Sequence, residues 1–371
     1  MLASTANQRA IDESLLPNLT DIYLPAKPID GSEMTSPGAS AFVYEGTPEA
    51  MFLRDTALHG WADRLAMHVR MLATETTESD FPVVFEGQRY RARRNQMAEG
   101  EQFNLRVTAT RAPSVEELKF KNPLWPQIFL SPQLLSGGLI VFAAEMGQGK
   151  TTTAAAVVHS RLKRYAGYGQ TVENPAEVPL DGVFGRGICR QTSVSWDHPD
   201  PKERGWEGAM RAALRSYPTT SRGNLMFIGE IRDSEVAAEA LQAAANGLLV
   251  ITTVHALNIA SAMQRLVSYA DIKLEGMASE LLASSLRLAV QQRLVIDRTQ
   301  SGWNRGILDG QLLYCDGYNH PAAQSIRRRE FSKIQQPLKL QENVMNNLKG
   351  RAIPIDDVMS QMVRGTQNDG A

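Results

Sequence analysis

A glycine-rich segment, residues 147–152, constrains the fold of this chain more than any other feature. It reads Gly-Gln-Gly-Lys-Thr-Thr and stands between an apolar run at 139–142 and an alanine-rich stretch at 152–162. Strand, glycine turn and helix in that order predict a phosphate-binding loop, in which backbone N–H groups and a helix N-terminus hold an anion. Lys150 would reach the β- and γ-phosphates, and the Thr151 hydroxyl would hold Mg²⁺. The predicted nucleotide-binding residues are Gly147, Gln148, Gly149, Lys150, Thr151 and Thr152.

One position departs from the strict form of this loop. The pattern begins with a glycine five residues before Gly149, where this chain has Ala144. Alanine is the mildest replacement, provided that its φ angle stays negative. Glu145 is expected to point to solvent, because its carboxylate would repel a polyphosphate. The alternative interpretation is a glycine turn before a helix that carries an ordinary surface lysine.

A second apolar run, residues 225–228, is followed directly by Gly-Glu-Ile-Arg-Asp at 229–233. A carboxylate at the end of a strand, in a chain with a phosphate loop, is typical of a Walker B element. The pattern predicts that Glu230 positions or deprotonates the attacking water, which is typically worth about 10²–10⁴-fold in rate. The alternative is an acid that caps the next helix, a role that also suits Asp233.

Two further segments carry polar residues after strand-like runs. The sequence Thr-Thr-Val-His at 252–255 ends a third apolar run. Since parallel strands end at a common sheet edge, His255 is expected near the nucleotide, where it would sense the γ-phosphate or orient catalytic groups. The alternative for a lone histidine is a structural role. Residues 171–177, Thr-Val-Glu-Asn-Pro-Ala-Glu, indicate a surface turn when judged on local features alone.

Strand-like and helix-like segments alternate from residue 139 onward, which predicts an α/β domain with a mainly parallel sheet between helices. Before it, residues 81–111 indicate three strands with hairpin turns, and the apolar spacing at 48–77 predicts a helix. This earlier part is expected to be a small α+β module. Between the two parts, repeated prolines exclude one long helix.

The charge balance and cysteine count exclude several classes of protein. Lys and Arg number 39 and Asp and Glu 40, so bulk charge does not predict nucleic-acid binding. Two cysteines are too few for a disulfide framework or a four-cysteine zinc site. The sequence has no apolar stretch of membrane-spanning length and no signal-peptide layout, so a cytoplasmic protein is expected.

Taken in order, the four polar segments resemble the four boxes of the secretion-ATPase superfamily (GspE/PilT-like), which powers type II secretion, type IV pili and type IV secretion. Residues 147–152 resemble its Walker A loop, 172–177 its Asp box, 228–233 its Gly-Glu-x-Arg-Asp signature and 247–255 its His box. The resemblance implies ATP binding and ATP hydrolysis with ATP and Mg²⁺ as cofactors. Asn174 replaces the usual Asp of the second box, so the resemblance implies that Glu173 inherits more of the catalytic role there.

The resemblance extends to the N-terminal half through residues 20–24, 90–95 and 110–113. It implies a RecA-like P-loop NTPase domain at 137–371, with a C-terminal helical part. A smaller α+β PAS-like domain at 1–112 and a linker at 113–136 would precede it, with residues 1–18 disordered. In this family, arginines of the PAS-like domain reach the nucleotide, some from a neighbouring subunit. Catalytic roles are therefore implied for Arg93 and Arg111.

The chain is short and lacks the four cysteines of the family's paired-CxxC zinc insertion, so it is similar to the compact branch that includes PilT, DotB and the conjugation ATPases of the TraJ type. That branch implies a cytoplasmic homo-oligomeric ring, a hexamer, which powers a type IV pilus or a type IVB or conjugation secretion machine. The ring would associate with the inner membrane through a platform or secretion-channel protein, with no direct nucleic acid contact. Two alternatives stay open: a RecA-like motor that translocates DNA, and a non-hydrolysing, nucleotide-dependent scaffold.

Overall fold

The computed structural model describes residues 21–44, 50–194, 198–218, 223–295 and 306–367. The chain divides into two compact units, residues 1–110 and 111–371. Residues 1–18, for which disorder is predicted, lie outside the described residues. The division into 1–112, 113–136 and 137–371 stays a prediction.

An antiparallel sheet forms the base of the first unit. In the described residues its strands lie in the order β3-β2-β1-β6-β5-β4. They are β1 (Asp21–Pro25), β2 (Phe42–Val43), β3 (Met51–Phe52), β4 (Asp80–Phe85), β5 (Gln88–Met97) and β6 (Gly100–Thr108). Glu86 and Gly87 join β4 to β5 with φ angles of 47° and 83°, as in a two-residue hairpin turn. Helix α1 (His59–Glu75) buries Trp61, Leu65 and Val69 in the core that it shares with the sheet.

The helix predicted over residues 48–77 is shorter in the structure. It begins at His59, and the two residues of β3 pair with β2 instead of continuing the helix. Residues 48 and 49 lie outside the described part of the chain. Tertiary pairing at the edge of the sheet therefore overrides the local apolar spacing at 51–52.

The second unit contains the mainly parallel sheet that the sequence predicts. In the described residues the order is β14-β13-β7-β12-β11-β8-β10-β9, with β14 and β9 antiparallel to their neighbours. The strands are β7 (Gly138–Ala144), β8 (Tyr168–Glu173), β9 (Gly182–Phe184), β10 (Gly187–Ser193), β11 (Leu225–Ile228), β12 (Leu249–His255), β13 (Leu286–Val295) and β14 (Ile307–Tyr314). Strands β7, β12, β11 and β8 run parallel, so their carboxyl ends lie along one edge of the sheet.

Helices cover both faces of this sheet. They are α2 (Leu124–Phe129), α3 (Lys150–Tyr165), α4 (Gly205–Arg215), α5 (Ser234–Ala245), α6 (Ile259–Leu274), α7 (Ala278–Ser285), α8 (Pro321–Arg327), α9 (Gln335–Leu348) and α10 (Ile355–Gln367). Short 3-10 helices lie at Leu53–Asp55, Val115–Glu117, Pro132–Ser136, Pro201–Glu203 and Phe331–Ile334.

Residues along β7 alternate between two hydrophobic cores, one on each face of the sheet. Leu139 and Val141 pack in the core that contains α5, α6 and α7, whereas Ile140 and Phe142 pack in the core that contains α2, α3 and α10. Burial on both faces explains why β7 is a continuous apolar run. None of the helices described in the structure is both long and apolar enough to pass through a bilayer.

Candidate nucleotide-binding site

The predicted phosphate loop connects the end of β7 to the first turn of α3. Its glycines, Gly147 and Gly149, have φ angles of 75° and 77°, a conformation that residues with a Cβ rarely adopt. Ala144 ends β7 without a positive φ angle, so the glycine that it replaces is not required for the backbone here. Glu145 is exposed, in agreement with its expected orientation to solvent.

Lys150 points back toward this loop. Its Nζ lies 3.3 Å from the carbonyl oxygen of Glu145 and 3.1 Å from Nδ1 of His255, and the residue is only 7% exposed. Burial lowers the pKa of the Lys150 amine below its ordinary value. Thr151 and Thr152 continue the first turn of α3 and are half-buried. A desolvated cation at a helix N-terminus is suited to binding an anion.

Three hydrogen bonds align the ends of β8, β11 and β12. The Gly229 N–H donates to the Val172 carbonyl at 3.1 Å, and the Ile231 N–H donates to the Thr253 carbonyl at 3.0 Å. Thr253 Oγ1 donates to the Gly229 carbonyl at 2.7 Å. These bonds continue the pairing beyond the end of β11 and place Glu230 between the ends of its two neighbouring strands.

His255 connects the phosphate loop to Glu230. Its Nε2 lies 3.1 Å from Oε1 of Glu230, and Nη2 of Arg232 lies 2.6 Å from Oε2 of the same carboxylate. Because Lys150 can only donate, Nδ1 of His255 accepts and the proton of the neutral ring is on Nε2. The pKa of His255 is lowered, chiefly because the ring is partly buried. The charge of Lys150 also lowers this pKa, whereas the carboxylate of Glu230 raises it. The three predicted residues therefore form one row, Lys150–His255–Glu230.

Glu173 stands at the end of β8 and is 1% exposed. Its Oε1 accepts a hydrogen bond of 2.7 Å from Nε2 of Gln191 on β10. The absence of a side chain at Gly229 makes room for it, because a Cβ there would lie 3.1 Å from Cγ of Glu173. Burial raises the pKa of the Glu173 carboxyl to about 7, and the Gln191 bond opposes this rise. Glu173 is therefore a buried acid that gains or loses its proton near neutral pH.

The buried carboxyl of Glu173 makes the stability of the second unit depend on pH. Its pKa is raised from 4.5 to about 7, so the group favours the folded state below pH 4.5 and loses that contribution as pH rises to about 7. The rise in this pKa on folding corresponds to a change of about 3 kcal/mol in the free energy of unfolding. The unmodified chain should lose stability as pH rises from 5.5 to 8, whereas Glu173→Gln has no carboxyl at this position to lose its proton. The stability of Glu173→Gln relative to the unmodified chain is therefore expected to rise over this range. Urea-denaturation midpoints of both proteins at the two pH values measure this gain.

A suitable control for this experiment is Glu203→Gln, which changes a carboxylate in a 3-10 helix outside the sheet edge. It should follow the pH dependence of the unmodified chain. If Glu173→Gln follows the same pH dependence as well, the carboxyl of Glu173 is not protonated in the folded state and the assignment is wrong.

A cavity of about 220 Å³ opens at this edge of the sheet. It is lined by Thr151, Glu173, Asn174, Pro175, Glu177, Trp206, Gly229, Glu230, Arg232 and Asp233. No motif in the sequence marks Trp206 as a site residue, because α4 reaches the cavity only through packing. Asp233 also caps α5, since its carboxylate accepts a 3.0 Å hydrogen bond from the Val236 N–H.

The residues that line the cavity are compatible with Mg²⁺ held together with a nucleotide. In the parts of the chain that the structure describes, no three His, Cys, Asp or Glu side chains are arranged to hold a metal ion. Mg²⁺ keeps several waters and is commonly bound by one or two protein oxygens together with substrate phosphates. The Thr151 hydroxyl is a suitable oxygen at the start of α3, with carboxylates across the same cavity.

Arg93 and Arg111 each pair with an acid of their own unit. Nη1 of Arg93, on β5, lies 2.8 Å from Oδ2 of Asp80. Arg111 makes a two-pronged contact with Glu117, at 2.9 and 2.7 Å, which holds the pKa of that exposed carboxyl down to about 2. Their assignment as catalytic arginines stays a prediction.

A family model described as "Type II/IV secretion system protein" matches residues 77–357. Among curated relatives, the type IV pilus ATPase PilU of Pseudomonas aeruginosa is 30% identical over 238 residues, which cover 63% of this chain and 56% of PilU. The uncharacterized protein YggR of Escherichia coli is 30% identical over 234 residues, which cover 62% of this chain and 66% of YggR. The chain thus spans less than two thirds of the length of these relatives.

Solved structures confirm the predicted fold. The pilus retraction motor PilT with bound ADP matches with a TM-score of 0.64 at 22% identity, covering 95% of this chain and 96% of PilT. The ATPase DotB of Legionella pneumophila matches with a TM-score of 0.60 at 18% identity, covering 97% of this chain and 96% of DotB. At these identities the likeness establishes the fold alone: a larger α/β domain preceded by a smaller N-terminal domain.

Proposed function

Because the chain belongs to the type II/IV secretion system protein family, we propose that it is a ring-forming ATPase that powers a type IV pilus or a type IV secretion machine, including those of the IVB and conjugation type. The observation that carries the proposal is the row Lys150–His255–Glu230, with contacts of 3.1 Å between successive side chains. It joins a phosphate-binding loop to a carboxylate beside the same cavity.

The reaction we propose is transfer of the γ-phosphoryl group of ATP to water. Glu230 would orient the water and accept its proton. His255 donates to one oxygen of this carboxylate and Arg232 to the other, so that Glu230 is held in place across the cavity from the Thr151 hydroxyl. Positioning and general-base catalysis are the two contributions that these residues can make.

Lys150 supports the proposal because its amine is buried and its present partners are weak ones. A carbonyl and a neutral imidazole satisfy a cation less well than phosphate oxygens do. Binding of phosphate would therefore draw Lys150 away from His255. His255 would then report occupation of the loop to Glu230, which is the sensing role that the sequence predicts for this histidine.

Thr151 and Glu173 complete the assignment. The Thr151 hydroxyl would hold Mg²⁺, which neutralises phosphate charge when it is bound. Glu173 lies across the cavity and carries a proton for part of the time near neutral pH, because its pKa is raised to about 7 by burial. We assign it to hydrogen bonding with the water shell of the site rather than to direct metal binding.

At the level of the assembly we propose a cytoplasmic hexamer. Arg93 and Arg111 would reach the nucleotide of a neighbouring subunit and neutralise charge in the transition state. The ring would act on a platform or secretion-channel protein of the inner membrane, and nucleic acid is not expected to be a direct partner. This level of the proposal rests on membership of the type II/IV secretion system protein family.

The proposal predicts that the purified chain releases phosphate from ATP, that EDTA stops the release, and that the specific activity rises with protein concentration as rings form. Arg111→Ala should bind ATP as an isolated subunit yet hydrolyse it about 10²–10³-fold more slowly in the ring, since a transition-state charge is left unbalanced. Phosphate release measures the rate of hydrolysis, a fluorescent ATP analogue measures nucleotide binding, and sedimentation measures ring formation.

Matched controls distinguish the alternatives. Arg106→Ala removes an arginine of β6, the strand that precedes Arg111 in the chain. Arg106 pairs with Asp21, and the variant should retain full activity. Full activity of Arg111→Ala would remove that residue from the catalytic set. Stimulation by DNA would favour a DNA-translocating motor, and ATP binding without any phosphate release would favour a scaffold.

A further inference from the structure

Gln292 on β13 lies beside the phosphate loop. Strand β13 pairs with β7 up to Gln291 and Ala143, and then continues past the point where β7 ends. Gln292 follows the last residue of β13 that pairs with β7, and on its other side it pairs with Gly310 of β14. It is 1% exposed, and its Nε2 donates a hydrogen bond of 2.6 Å to the carbonyl oxygen of Gln148.

A second hydrogen bond ties the same loop residue to β13. Oε1 of the Gln148 side chain accepts a hydrogen bond of 2.7 Å from the Leu294 N–H. The backbone and the side chain of Gln148 are therefore both held by one strand, although 144 and 146 residues of sequence separate the bonded groups.

The orientation of the Gln148 carbonyl determines the orientation of the next N–H. The peptide between Gln148 and Gly149 is trans and planar, so its C=O and N–H point in opposite directions. Since Gln292 holds the C=O toward β13, the Gly149 N–H points away from β13. In a phosphate-binding loop, backbone N–H groups that are not used within the protein point at the anion and hold it.

We propose that Gln292 is a positioning residue for nucleotide binding, which holds the Gln148–Gly149 peptide in the orientation that presents the Gly149 N–H to phosphate. This inference rests on the proposed function, because it assigns a role in the same nucleotide site. Gln292 acts through the backbone of the loop and does not itself touch the nucleotide.

The oxygen atom of the Gln292 side-chain amide indicates that this residue contributes little to the stability of the fold. Its Oε1 is buried and has no hydrogen-bond partner within the described residues. An unpaired buried oxygen is unfavourable to folding, and this cost offsets the stability that the hydrogen bond to Gln148 contributes. The useful part of the side chain is its donor group, which is directed at the loop.

The geometry also excludes a flipped amide. If Nε2 and Oε1 exchanged places, an oxygen would face the Gln148 carbonyl at 2.6 Å, and the two acceptors would repel each other. Gly149 adjoins the same amide, since a Cβ built there would lie 3.4 Å from Nε2 of Gln292, an ordinary van der Waals distance. Nε2 of Gln292 is therefore the donor of this hydrogen bond, and the carbonyl oxygen of Gln148 is its acceptor.

The experiment compares Gln292→Leu with Gln291→Leu in the full chain. Gln291 is the preceding residue of β13 and faces the opposite side of the sheet, so it is a control of the same residue type on the same strand. Binding of a fluorescent ATP analogue with Mg²⁺, KM and kcat for ATP, and the Tm without nucleotide are measured. Gln292→Met, which keeps the length of the side chain without its donor, is the second variant should Gln292→Leu not fold.

We expect Gln292→Leu to raise Kd and KM for ATP about tenfold or more, with kcat within about threefold and the Tm unchanged or higher. Gln291→Leu should leave Kd unchanged. A Kd for Gln292→Leu within twofold of the unmodified chain would overturn the inference, as would a fall in Tm with KM unaffected. Failure of the unmodified chain to bind ATP would instead overturn the proposed function itself.

Discussion

Glu230→Gln is expected to bind ATP about as tightly as the unmodified chain and to hydrolyse it about 10²–10⁴-fold more slowly. The substitution keeps the size of the side chain and an oxygen that can accept the His255 hydrogen bond, whose length is now 3.1 Å. It removes the negative charge that takes up a proton from water. Binding is spared because the anion-binding groups lie in the loop and the first turn of α3.

Single-turnover phosphate release and equilibrium binding of ATP separate these two effects for Glu230→Gln. Glu235→Gln is a matched control, because Glu235 lies in the first turn of α5 and pairs with Lys273 rather than facing the cavity. It should retain the full rate. Near-normal hydrolysis by Glu230→Gln would mean that another group, Glu173 first among them, serves as the base.

Lys150→Ala is expected to lose both ATP binding and turnover. The amine is the cation of the phosphate loop, and the backbone N–H groups alone leave much of the phosphate charge unbalanced. In the nucleotide-free chain the same substitution should leave the Tm unchanged or higher. Burial lowers the pKa of Lys150, which means that the charged amine is less stable in the folded chain than in water.

Thermal unfolding measures both consequences of Lys150→Ala in one experiment. Mg²⁺ and ATP should raise the Tm of the unmodified chain, as any ligand of the folded state does, and should leave that of the variant unchanged. Lys163→Ala, at the exposed end of the same helix, should respond to ATP like the unmodified chain. An ATP-induced rise in the Tm of Lys150→Ala would be incompatible with the loop assignment.

The two experiments also test the row Lys150–His255–Glu230 as a unit. Both substitutions change a partner of the same imidazole, one at Nδ1 and the other at Nε2. If His255 couples the loop to the carboxylate, His255→Ala should lower kcat more than it raises Kd. The side-chain network then carries information from the phosphate site to the base, without a large movement of the backbone.

Short-range features of the sequence were sufficient to predict the phosphate loop, the Glu230 strand end and the His255 strand end. Each depends on residues within about ten positions of one another, and parallel strands bring their carboxyl ends to one edge whatever their distance in the chain. Local spacing was insufficient at residues 51–52, where pairing with β2 replaced the predicted helix.

The sequence by itself determined that this chain has an α/β fold with a glycine loop between a strand and a helix and with a carboxylate at a strand end, because those features follow from local backbone preferences and strand order. Only the tertiary structure decided that Glu173 is buried against Gln191, that Trp206 lines the cavity and that Gln292 holds the loop. The physical reason is that burial and hydrogen-bond partners arise from contacts between distant segments, here up to 146 residues apart, for which the linear order of residues contains no local signal.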